Sequence, residues 1–169
     1  QINFTDTDWN QPQTILIYPL NDFMDDGDIV CNVSVAADTT LSSAPAYNGV
    51  GNVAAKSILV TNVDNNTAEI DIVTPQTGNC TVYENDAPDQ NPCEIRIKLL
   101  SQPQPDTFVI LQLQVNDTTE LSLNDSQSQL NYSDANWDVA QSVEVFSIND
   151  QMQDFDIVSS VTVWVNTTL

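Results

Sequence analysis

A chain of 169 residues with 41% hydrophobic content is long enough for one domain of ordinary size and rich enough to build a real core. Three cations, Lys56, Arg96 and Lys98, stand against 24 carboxylates, for a formal net charge of -21. That balance excludes nucleic acid and anionic membranes as partners, since both need a basic surface, and favours divalent cations or a secreted surface kept soluble by charge.

Period-2 alternation of apolar residues predicts strands, taken in chain order, over 14–20, 29–36, 56–63, 69–73, 93–99, 108–116, 142–148 and 157–166. Turn chemistry separates them: Asp26-Gly27-Asp28, Tyr47-Asn48-Gly49, Asp64-Asn65-Asn66 and Gln102-Pro103-Gln104-Pro105. No segment carries a 3.6-residue pattern. Many short strands with regular breaks predict an all-β antiparallel sandwich. No run approaches the ~18 apolar residues of a membrane span, so membrane insertion is not expected. Residue 1 is Gln with no signal-like segment before it, which fits a processed terminus or a cut in something longer.

The chain also repeats itself. Residues 2–40 align without a gap to residues 130–168, and 15 of the 39 pairs are identical. Ile2-Asn3-Phe4-Thr5-Asp6-Thr7-Asp8-Trp9 matches Leu130-Asn131-Tyr132-Ser133-Asp134-Ala135-Asn136-Trp137, and Asp28-Ile29-Val30 returns as Asp156-Ile157-Val158. A repeat offset by 128 positions begins again before 169 residues run out, so at least one copy is incomplete. An incomplete sandwich exposes an unpaired edge and an open core, which invites pairing with another chain.

Eight Asn residues stand in Asn-X-Ser/Thr triplets: Asn3, Asn32, Asn65, Asn79, Asn116, Asn124, Asn131 and Asn166. With 18 Asn in the chain, chance gives about three such triplets, so the excess points to N-linked glycans on a secreted protein. Alternation supports this, because it puts Asn32, Asn116 and Asn166 on polar faces of their strands. Among three cysteines, Cys80 and Cys93 flank a turn-like segment and each shares a face with apolar neighbours. A disulfide joining two adjacent strands there is the preferred pairing and suits an oxidising compartment. Cys31 is left over, as a buried thiol or, alternatively, a cross-link to another chain.

The order Leu59-Val60-Thr61-Asn62-Val63-Asp64-Asn65-Asn66, Val82-Tyr83-Glu84, Leu100-Ser101-Gln102-Pro103, Leu130-Asn131-Tyr132-Ser133, Asn136-Trp137, Gln141-Ser142-Val143 and Asn149-Asp150 resembles Calx-β repeats. These are Ig-like sandwiches strung along large extracellular adhesion and matrix proteins. The resemblance implies that residues 1–64 are the back half of one repeat and residues 65–169 a repeat lacking its last strand. The equivalent of that missing strand is the segment 42–64. The linker departs from the family by one carboxylate, and the acidic turn after Glu84 lacks the usual glycines.

The loop from Asn21 to Asp28 offers four carboxylates, Asp22, Asp25, Asp26 and Asp28, and its copy keeps Asp150, Asp154 and Asp156. Calcium needs about six to eight oxygens, usually from several segments. The resemblance adds Glu84 and the linker acid Asp64 to this candidate calcium set. The plain alternative is a solvated acidic loop. Trp9 and Trp137 occupy equivalent positions as repeated anchors, and Trp164 replaces Ala36 on an outward face. An enzyme is not expected: with no histidine and no glycine-rich phosphate loop, triads, zinc catalysis and nucleotide chemistry lack parts.

The sequence therefore predicts an Ig-like (Calx-β-like) sandwich, one repeat plus a partial second copy, in an extracellular or cell-surface protein carrying glycans. The expected role is a structural subunit of an N-glycosylated fibre or filament, whose partners are copies of itself joined by strand complementation. The alternative is a calcium-binding adhesion module from a long cell-surface protein.

Overall fold

The computed structural model describes residues 1–48, 53–75, 78–84, 91–124, 128–150, 152 and 155–167. Nine strands are present among them, all in antiparallel pairs, with no helix: β1 (Ile29–Val35), β2 (Lys56–Asn62), β3 (Ile70–Thr74), β4 (Cys93–Leu99), β5 (Phe108–Val115), β6 (Leu121–Leu123), β7 (Gln129–Ser133), β8 (Gln141–Ser147) and β9 (Val161–Val165). The chain divides into two compact units. Unit 1 is Gln1–Asp22 with Asp28–Val63, and unit 2 is Phe23–Gly27 with Asp64–Leu169.

Unit 2 is a two-sheet sandwich. One sheet has four strands in the order β3-β4-β8-β6, and the other has three in the order β7-β5-β9. Alternation decides what faces inward. On β4, Cys93, Ile95, Ile97 and Leu99 are buried while Glu94 and Arg96 face out. Leu111 and Leu113 of β5, Leu130 and Tyr132 of β7, and Val143 and Val145 of β8 complete one continuous core. Tyr132 is 1% exposed, and its hydroxyl donates to the Ile97 carbonyl at 2.5 Å, so a phenol is buried without leaving its polar end unpaired. Burial pushes its pKa up to about 12. A disulfide joins Cys80 to Cys93.

Unit 1 holds a single sheet, β1 paired with β2 in the register Val33↔Ile58 and Ser34↔Ser57. None of its described residues is buried. The apolar content is ample but faces no second sheet: Phe4, Trp9, Ile15, Ile17 and Tyr18 are all exposed. Two-stranded ribbons without a facing layer are marginal in water, and this unit has no other ladder among its described residues.

Several expectations are corrected here. Residues 14–20 form no strand, although their copy is β8, which is paired on both sides by β4 and β6. A strand needs partners, and unit 1 has no equivalent of β4 or β6 among its described residues. Strands β6 and β7, of 3 and 5 residues, were not among the predicted strands. β9 is shorter than its predicted span. Cys31 is exposed rather than buried, since the face it shares with Val33 meets no opposing layer. Cys80 lies in a segment outside any ladder, so the disulfide ties a loop to β4 instead of joining two strands. The acidic turn at 85–90 lies outside the described residues.

Candidate functional site

The three-stranded sheet of unit 2 has one strand fewer than the four-stranded sheet it packs against, and β9 is one of its two edges. A groove of about 660 Å³ opens at the strand ends, where Ile70 of β3, Leu99 of β4, Val109 of β5 and Val165 of β9 meet Pro103 and Thr107 of the segment between β4 and β5, with Asp25 and Glu69 also among its lining residues. Ile70 and Ile72 share the inward face of β3 by alternation. Ile70 packs against the core, yet Ile72 is 46% exposed. On β9, Val161 and Val163 pack against the core while Thr162 and Trp164 face away, and the edge of β9 turned from β5 has no strand beside it among the described residues. The alternation of Ile70 and Ile72 predicts that both are buried, and the exposure of Ile72 departs from that expectation.

The part of the acidic loop from Phe23 to Gly27 belongs to unit 2. The Asp64 carboxylate accepts the amide of Gly27 at 2.8 Å and of Asp26 at 3.1 Å through one oxygen, and the amide of Asn66 at 2.8 Å through the other. Those donors, Asn66 first and then Gly27, hold its pKa below the usual carboxylate value. Asp25 accepts the Ala68 amide at 2.7 Å, and Gly27 supplies the positive φ of +81° that the turn requires. Phe23 stacks on Trp137, with ring centroids 5.8 Å apart, and its carbonyl accepts the Gln102 amide at 2.7 Å. The loop thus folds onto unit 2 through bonds to its own backbone.

Of the candidate calcium residues, Asp25, Asp26 and Asp64 come together in this turn. Asp22 and Asp28 belong to unit 1, Glu84, Asp150 and Asp156 lie elsewhere in unit 2, and Asp154 lies outside the described residues. Among the described residues no three carboxylates or cysteines converge as a metal would need. The carboxylates of Asp25 and Asp64 accept bonds from the chain's own amides.

Asn3, Asn32, Asn65, Asn79, Asn116, Asn124 and Asn131 are exposed, and Asn166, just past β9, is half-buried with its amide bonded to the Ile110 carbonyl. No helix among the described residues is long and apolar enough to cross a membrane. No family model matches the chain, and comparison with curated proteins and with solved structures finds no match either.

Proposed function

We propose that this chain is a structural, non-catalytic subunit of an extracellular, N-glycosylated fibre or surface filament, with an Ig-like sandwich of Calx-β type as its building block. One observation carries the reading: the same 39-residue stretch occurs twice, closed into a core in unit 2 and left open in unit 1. Val145 is 3% exposed and its copy Ile17 is 46% exposed; Tyr132 is 1% exposed and its copy Phe4 is 55%. Apolar surface of this extent on a chain with a formed core elsewhere supports burial against other copies. Copies of itself are thus the partners. Eight sequons and a disulfide support the extracellular setting, and a charge of -21 with a coat of glycans would keep open β edges from indiscriminate pairing.

Electron microscopy of the native material, before and after a calcium chelator, tests this. Regular filaments that survive chelation are the expected result. Filaments that dissolve would move the joint to the acidic loops, and dispersed single particles in both samples would overturn the fibre and leave the adhesion module.

A further inference from the structure

Resting on that reading, we infer that the flank of unit 2 between β9 and β3 is the acceptor for strand β2 of a second copy, taken up in the register that β2 keeps with β1. The internal repeat supplies the template. β1 and β9 lie on equivalent sequence, with Val33 matched to Val161, Ser34 to Thr162 and Val35 to Val163. Whatever backbone pairs antiparallel with β1 has the pattern to pair with β9. In unit 1 that strand is β2, with Val33↔Ile58, Ser34↔Ser57 and Val35↔Lys56. Transferred to β9, the register sets Ile58 of the second copy opposite Val161, Ser57 opposite Thr162 and Lys56 opposite Val163.

Three features of the acceptor fit this occupant. Added beside β9, the strand widens the three-stranded sheet to four and covers the four-stranded sheet where Ile72 is now exposed. Directly opposed residues share a face, so Ile58, with Val60 two places on, turns with Val161 toward the apolar interior. Lys56, one of three cations in the chain, falls on the same face, opposite Val163, one alternation step from Val165, which lines the groove together with Asp25 and Glu69. A lysine stem can cover apolar wall while its ammonium reaches a carboxylate. The donor gains as well: β2 leaves a two-stranded sheet with no buried residue for the margin of a complete core. Because β1 and β9 present equivalent sequence to β2, the joint is an exchange of one partner for the other.

Engineered cysteines test the register. In a Cys31→Ser background, Thr162→Cys protein is mixed with Ser57→Cys protein under mild oxidation; both positions are exposed. Opposed strand residues lie about 4.5–5.5 Å apart, within disulfide reach. A covalent dimer formed on mixing and absent from either protein alone is expected, at least tenfold above that from Thr162→Cys with Thr61→Cys, four residues out of register. Ile58→Asp, at a site 60% exposed in the free chain, should leave the melting temperature unchanged and abolish the cross-link. Filaments that form without this cross-link would overturn the acceptor while leaving the fibre standing. Absence of both filaments and cross-link would overturn the two together. A Thr162→Cys/Ser57→Cys double variant that closes only within one chain at high dilution and at high concentration alike would also overturn exchange between copies.

Discussion

Asp8 and Asn136 stand 128 positions apart and cap the same turn: Asp8 Oδ1 accepts the amide and hydroxyl of Thr5, and Asn136 Oδ1 accepts the amide of Ser133 at 2.6 Å and its hydroxyl at 3.3 Å. The next residue is tryptophan in both copies. Trp137 packs on the core and on Phe23, whereas Trp9 is 70% exposed. Local geometry is repeated and burial is not.

That contrast makes the two tryptophans separable. Trp137→Ala should cost unit 2 about 3 kcal/mol, through lost burial and the lost contact with Phe23. Trp9→Ala should change the stability of the isolated chain by less than about 0.5 kcal/mol and weaken assembly instead. Denaturant titration and filament yield, measured on both variants, check the split.

Reducing the Cys80–Cys93 disulfide frees a segment whose ends are 13 residues apart. Loop-closure entropy puts the loss at roughly 3 kcal/mol. Denaturant midpoints with and without reductant, in a Cys31→Ser background, measure it, and a change below about 1 kcal/mol would show that the loop is held by other contacts.

Tyr132 sets an alkaline limit. Its folded pKa, about 12, lies above the ordinary tyrosine value of 10.0, because burial disfavours the phenolate. The stability it contributes is therefore fully present below pH 10 and lost as pH rises toward 12. Tyr132→Phe should flatten that part of the stability profile while costing about 1 kcal/mol at neutral pH from the lost bond to Ile97. Melting temperatures from pH 8 upward decide it.

Asp64 sets an acid one. Its folded pKa is lowered by the amides of Asn66 and Gly27, so its contribution is present above the unfolded carboxylate value and lost as pH falls through the folded one. Asp64→Asn should raise hydrogen exchange at the Gly27 and Asn66 amides at neutral pH and leave the β4 amides protected. Equal exchange in parent and variant would show that the carboxylate does not hold the turn.

Glu94 and Glu144 face each other directly across β4 and β8. Like charges so placed repel, at a cost of about 0.2–1 kcal/mol. Glu144→Lys should therefore raise stability by about that amount, read as a higher denaturant midpoint, and the gain should shrink in high salt.

The pattern of residues was enough to determine the kind of fold. Alternation along 93–99 and 108–116 foretold β4 and β5 because a strand buried on one face must be apolar at every second position. The turns at Asp26-Gly27 and Asp64-Asn65, the excess of sequons and the 128-residue repeat were equally legible, since each depends on neighbours in sequence or on self-comparison. Pairing is not local. Ile15 and Ile17 match Val143 and Val145, but Leu16 and Pro19 break the alternation that Glu144 and Ser147 keep, and only the copy bonds with β4 and β6. Cys31 shares a face with Val33 in a pattern that reads as buried, and it is exposed because no described strand of unit 1 lies opposite. The bonds of Asp25 and Asp64 to the amides of Ala68 and Gly27 span about 40 positions, so no local pattern announced them. Periodicity says which face of a strand is apolar. Whether that face is covered depends on a second layer brought from elsewhere in the chain, and in unit 1 no described part of the chain supplies one.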